Sequence, residues 1–294
     1  MKDRPRLAKC RVDYNIMSAV MKIEEINEEN LAKIAAMIGQ TDTSRPAAAG
    51  LPRLAIEQQN ETSEGDVLPK GSFRLRMGDQ SIYAKELEVR LFVRYYSYDL
   101  WNNENPELSI RTVLAPSLSD DFPDTSGGNK CGKLSKDEVA NLSSNSIEHA
   151  RQKSIKCTQV VYGVVTSADG SKTIDGEDVD VKGTPFVWSA RGSAFMPVAN
   201  HIREVPSNKI MFGQKAKVTT KRNVNGSVIY YTPVFDKPKP VKVVEKDIEI
   251  LNTFMEDIEK WNSKAIKEYN EHKETVLARD DLDVANSLEA ADSI

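Results

Sequence analysis

Residues 82–101 read IYAKELEVRLFVRYYSYDLW. The stretch has no Gly or Pro and is rich in aliphatic and aromatic side chains, which predicts a β-strand. Twenty residues exceed an ordinary strand, so a bulge or bend is expected within it. Side chains alternate across a strand. Odd positions give Leu87, Val89, Leu91, Val93 and Tyr95, a set suited to a core. Even positions give Glu86, Glu88, Arg90, Phe92, Arg94, Tyr96 and Tyr98. Arg90, Phe92, Arg94, Tyr96 and Tyr98 therefore form an expected outward face of cations and rings. A single nucleic-acid strand needs that chemistry: cations neutralise phosphates, and flat side chains stack on bases at roughly 1–3 kcal/mol each.

A second segment repeats the pattern. Asn225-Gly226 lies between two β-type runs and predicts a hairpin over Gln214–Asp236. A two-residue loop there sets Val224 opposite Ser227, Arg222 opposite Ile229, and Lys221 opposite Tyr230. Lys215, Lys217, Lys221 and Tyr230 then share one face. Ala216, Val218, Ile229, Tyr231 and Phe235 share the other.

Further strands are expected at Leu54–Gln58, Phe73–Met77, Thr158–Thr166 and Thr184–Ala194, with Phe186 and Trp188 in the core. One helix interrupts them, opened by the Ser135/Glu138 capping box. The N-terminal part, residues 1–50, reads as a basic arm, a short helix near 30–38 and a linker. Residues 51–243 form the main body. A C-terminal helix is expected over 244–279, with Ile248, Leu251, Phe254, Met255, Ile258, Trp261 and Ile266 as its apolar stripe. Residues 280–294 read as a disordered acidic tail. The expected class is α+β, mainly β: a small OB-like Greek-key barrel with an inserted helix.

The net charge of −4 hides an asymmetry. From Glu245 to Ile294 there are 14 acidic and 6 basic residues, so residues 1–244 carry +4. A basic body with an acidic tail is a plan for handling polyanions. No apolar run is long enough for a membrane helix, and three cysteines suit a reducing cytoplasm rather than a disulfide framework. Phosphate-loop, dinucleotide and nucleophile-elbow motifs are missing, which argues against an enzyme. Cys131, His149 and Cys157 have irregular spacing and no fourth ligand, so no zinc or other cofactor is expected.

Taken together, these strands, the inserted helix and the acidic tail resemble bacteriophage-type single-stranded DNA-binding proteins. That resemblance is architectural, over Leu51–Ile294, and the terminal Ile294 departs from the aromatic ending common there. It implies a non-enzymatic protein that coats single-stranded DNA in replication, recombination or repair, in the host cytoplasm if phage-encoded. It also implies a tail (Asp280, Asp281, Asp283, Asp292 and Ile294) that regulates binding or recruits replication or recombination proteins. A homo-oligomer is compatible with this reading. The competing reading is a structural or assembly protein, such as a virion or scaffold component, that binds no nucleic acid.

Overall fold

The computed structural model describes residues 50–291, apart from 62–64, 66, 103–104 and 207, with side chains as far as Lys273. The chain divides into two units, Met1–Ala48 and Ala49–Ile294, and the described residues belong to the second. The expected N-terminal arm and helix, and the tail residues Asp292 and Ile294, lie outside the described residues.

Strands β1 (Arg53–Ile56), β2 (Phe73–Met77), β3 (Gln80–Ala84), β4 (Leu87–Leu100), β5 (Ile110–Arg111), β6 (Ile155–Ser167), β7 (Lys172–Thr173), β8 (Pro185–Arg191), β9 (Gln214–Asn225), β10 (Val228–Phe235) and β11 (Lys239–Pro240) form one mixed sheet. Its order is β10-β9-β4-β6-β8-β1-β2-β3-β7, with β5 on β4 and β11 on β9. Among the described strands only β1 and β8 run parallel. Among the described residues four α-helices complete the class: α1 (Lys136–Ala140), α2 (Ile147–Ser154), α3 (Phe195–Glu204) and α4 (Glu245–Ala291). The α+β, mainly β class agrees with expectation.

The closed barrel does not. Among the described residues no ladder joins β10 to β1 or β7, so the sheet is open. It does curl. The Gln58 side-chain amide donates to the Tyr231 carbonyl and accepts from the Tyr231 N–H, at 3.0 and 2.9 Å. The Thr220 hydroxyl donates to the Gly71 carbonyl at 2.5 Å. β10 thus returns to the β1–β2 connection through side chains. Gly71 has φ +84°, and a Cβ there would lie 2.4 Å from the Tyr231 ring, so only glycine admits this approach.

Both faces of the sheet are covered. The inner face carries Leu54, Phe73, Leu75, Leu87, Val89, Leu91, Val161, Val165, Phe186, Trp188 and Val218, with Val198 of α3. Phe186 and Trp188 are core, as the sequence suggests. On the outer face, Phe92, Val93, Val160, Tyr162 and Val164 meet Phe254 and Ile258 of α4. Burying rings such as Phe92 and Phe254 contributes roughly 2–3 kcal/mol each.

Three local expectations change. The capping box on Ser135 and Glu138 is present, but the helix it opens ends at Ala140 and a second one, capped by Ser146, begins at Ile147. The hairpin turns through Gly226-Ser227 rather than Asn225-Gly226, so Ile229 opposes Val224 and Thr232 opposes Lys221. This register shift is an even number of residues, so the two face memberships are preserved. Finally, α4 continues to Ala291, so Asp280, Asp281 and Asp283 lie in helical backbone instead of a disordered tail.

The expected bulge in β4 falls between Leu91 and Val93, with a second irregularity between Glu88 and Val89. Gly163 of β6 faces Leu91 beside it. A Cβ on Gly163 would lie 2.7 Å from the Arg90 carbonyl oxygen and 2.6 Å from Phe186 Cζ. Neither backbone nor packed ring gives way cheaply. Gly163→Ala should therefore lose about 3 kcal/mol of stability by overpacking. Urea denaturation checks this, and an unchanged midpoint would mean that the bulge relaxes freely.

Candidate nucleic-acid interface

The bulge at Phe92 decides the fate of the long strand. Directly paired residues of two antiparallel strands share a face. Arg90 pairs with Val164, an outer-face residue, while Arg94 pairs with Val161, an inner-face residue. The five residues Arg90, Phe92, Arg94, Tyr96 and Tyr98 therefore do not line one face. The bulge sends the first two outward and the last three inward.

Arg90 and Phe92 are covered. Both terminal nitrogens of Arg90 donate to the Asp247 carboxylate at 2.8 Å. Its Nε and one terminal nitrogen also donate to the Phe212 carbonyl, at 3.0 and 2.7 Å. Asp247 accepts the Val244 N–H as well, in the first turn of α4. Burial raises the Asp247 carboxyl, and the bonds from Arg90 and Val244 more than offset this, so it lies below its ordinary value. Phe92 stacks on Phe212 at 5.1 Å and meets Phe254 edge-on at 5.5 Å. α4 is the cover. Tyr162 adds to its seat by donating to Asp257 at 3.0 Å.

On the inner face, Tyr96 is buried with Ala115 and Phe122. Tyr98 is half-buried, its ring edge-on to Phe122 at 5.0 Å. Burial, with Cys157 alongside, pushes the Tyr98 hydroxyl up to about 12. Neither ring offers a free stacking face of the kind expected. Arg94 differs: it is half-buried over the Tyr96 ring at 4.9 Å and has no carboxylate partner among the described residues.

The hairpin lysines also divide. Lys215 donates to Glu88 at 2.9 Å, and Lys217 pairs with Glu86 at 2.7 Å. Burial raises the Glu88 carboxyl, but Lys215 and Thr166 more than offset that and hold it below its ordinary value. The hydrogen bond that Lys217 donates to Glu86 raises its ammonium above its ordinary value. These two lysines belong to a matched charge lattice at the root of the hairpin. The signal was in the sequence, because Glu86 and Glu88 occupy the same alternate positions as Arg90.

Beyond that root the hairpin is an arm. β4 pairs with β9 only from Ala216 to Val218, and the chain past Thr219 runs on beyond the start of β4. Lys221, Arg222, Val224, Val228 and Ile229 are exposed there, and Tyr230 is half-buried. Lys221 and Arg222 have no ion-pair partner among the described residues, and no acidic residue lies on the arm between Gln214 and Phe235. Alternation alone assigns Arg222 to the apolar face, so sequence reasoning passed over it. It is exposed beyond the last β4–β9 pair, opposite Tyr231. Along the strand direction the arm is about 35 Å from Arg94, at roughly 3.3 Å per residue.

No family model matches this sequence, and no curated protein or solved structure is detectably similar to it. The site must therefore be judged from its chemistry.

Cys131, His149 and Cys157 do not converge. Cys131 is buried, with Sγ 3.5 and 3.7 Å from the Tyr98 and Ile110 carbonyls. Burial, with Asp124 and Asp99 nearby, pushes its thiol up to about 12. His149 Nδ1 lies 2.9 Å from the Ser144 carbonyl. Among the described residues no group of three or more His, Cys, Asp or Glu is placed to hold a metal ion. No described helix is long and apolar enough to cross a membrane.

Proposed function

We propose that the chain binds single-stranded DNA through the β9–β10 arm, with Lys221 and Arg222 on phosphates and Tyr230 against a base. The observation that carries this reading is the division of the cations. Arg90, Lys215 and Lys217 are each matched to a carboxylate, whereas Lys221 and Arg222 are matched to none among the described residues. Unmatched cations on a protruding ribbon are free for phosphates, and each phosphate neutralised adds to affinity by counterion release. Arg94, half-buried over Tyr96, is a further free cation for the same strand.

A relation to the OB-type barrel belongs to the same proposal. It is supported by the curled sheet, by α3 packed against the inner core, and by the side-chain bridge from Gln58 to Tyr231. The biological frame is coating of exposed strands in replication, recombination or repair, without catalysis. In this frame the acidic C-terminal segment modulates binding or recruits partner proteins.

A second reading has its own observation. Ile248, Met255, Trp261 and Ile266 of α4 are exposed, which suits an assembly protein whose helix contacts another subunit. One titration separates the two. Fluorescence anisotropy of a labelled single-stranded oligonucleotide, at 50 and 200 mM salt with a duplex control, should show binding that weakens steeply with salt and prefers the single strand. No binding at the lower salt, with a stable oligomer by light scattering, would replace the proposal with the assembly reading.

A further inference from the structure

Three arginines stand together on the outer side of the β1–β2 pair. In the antiparallel register Ala55 opposes Arg74, and Arg53 opposes Arg76. Arg74 is neutralised, since its Nη1 donates to the buried Glu57 at 2.9 Å. Arg53 and Arg76 are exposed and, among the described residues, neither has an ion-pair partner. Arg76 spends its Nε–H on the Gly78 carbonyl at 3.1 Å. Among the described residues no partner takes its terminal nitrogens or the guanidinium donors of Arg53.

Directly opposed residues in such a ladder have Cα atoms about 4.5–5.5 Å apart, and like charges there destabilise the pair. Two arginines opposed in this register bring like charges to one patch of the sheet, a repulsion that an anion between their side chains relieves. A carboxylate holds its two oxygens in one plane and takes a guanidinium fork edge-on. A phosphate carries its free oxygens, two in a diester and three in a monoester, on a tetrahedron, so guanidiniums approaching from two strands can each bond a different oxygen, and arginine suits it better than lysine because its donors are planar and fixed.

We infer that Arg53 and Arg76 form a two-armed clamp for a phosphate group. That group is either a phosphodiester of a nucleic-acid strand or the phosphate of a free small molecule. The clamp lies at the opposite end of β1 from Gln58, which holds the arm, so it is a separate site. It does not require the single-strand reading, because a free phosphate is one of its two sources.

The test uses the full chain and its Arg53→Gln and Arg76→Gln variants. Thermal unfolding is compared in sodium chloride and in sodium phosphate of equal ionic strength, and each protein is titrated with a single-stranded oligonucleotide. If the ligand is a free phosphate, inorganic phosphate raises the wild-type Tm by about 3 °C and neither variant responds. If the ligand is a phosphodiester, inorganic phosphate has no effect. Each substitution then lowers the slope of log affinity against log salt by about 0.7. In chloride alone, either variant should melt at the same temperature as the wild type or about 1 °C higher, because a repulsion has been relieved. Responses to phosphate and to oligonucleotide that are unchanged in both variants would overturn the clamp. Loss of binding in arm variants with Arg53 and Arg76 intact bears only on the arm.

Discussion

Asp247→Ala should lower the stability of the described unit by about 3–5 kcal/mol, the usual cost of removing one partner from a buried ion pair. Arg90 would then keep its charge beneath α4 with only the Phe212 carbonyl to meet it. The side chains of Arg90 and Asp247 are 14% and 5% exposed, so solvent cannot replace the lost carboxylate. The same change removes the side-chain acceptor of the Val244 N–H at the start of α4. At about 2–4 °C per kcal/mol, the Tm should fall by roughly 10 °C or more. Replacing both members, Arg90→Met with Asp247→Leu, should recover most of that loss, because an apolar pair leaves no charge uncompensated. A drop of less than about 1 kcal/mol for Asp247→Ala would mean that α4 is held by Phe254 and Ile258 alone.

The pair also fixes a direction with pH. The folded Asp247 carboxyl lies below its ordinary value of 3.8. A depressed carboxyl contributes stability that is fully present above the ordinary value and is lost as pH falls through the folded one. Stability should therefore decline below about pH 4, and the decline should be shallower in the Arg90→Met/Asp247→Leu protein. Denaturation midpoints at pH 3 and pH 6 measure the difference.

The fate of β4 shows what was legible in the sequence. Alternation assigned the faces correctly before Phe92 and inverted them after it, where Val93 and Tyr95 turn outward and Arg94 inward; the length of the strand did imply a bulge. Nothing in the local residues placed that bulge, because its position is set by the pairing with β6 and by the missing side chain at Gly163. A one-residue bulge reverses the facing of everything after it, so Arg94, Tyr96 and Tyr98 changed sides together. Arg90 and Phe92 kept the face that alternation assigns. There the missing information was the partner, since an amphipathic helix does not announce which sheet face it covers. The hairpin fared differently. Its turn moved by one residue, yet the register shifted by two, so Lys215, Lys217, Lys221 and Tyr230 still share a face. Charge matching was partly readable. Glu86 and Glu88 stand in the sequence beside the strand whose face they neutralise, and counting them with the lysines separates the root of the hairpin from its arm.

That separation makes the arm the decisive test of function. The triple variant Lys221→Ala/Arg222→Ala/Tyr230→Ala should weaken single-strand binding by about 100- to 1000-fold at low salt. Two phosphate contacts and one base stack supply that loss, the stack alone being worth roughly 1–3 kcal/mol. Removing two cations should also lower the salt slope by about 1.4. The fold should persist, since Lys221 and Arg222 are exposed and none of the three side chains belongs to the buried core. Lys215→Ala/Lys217→Ala is the matched control. It also removes two positive charges from the same strand, but those charges are already matched by Glu88 and Glu86 and it takes away no free cation, so its slope should change far less. Tyr96→Ala makes a poor probe, because it opens the core and confuses folding with binding. Equal losses in the arm variant and the root variant would mean that only overall charge matters. An arm variant that binds as well as the wild type, with its Tm intact, would remove the arm from the interface and turn the test to Arg94 and to the Arg53–Arg76 pair.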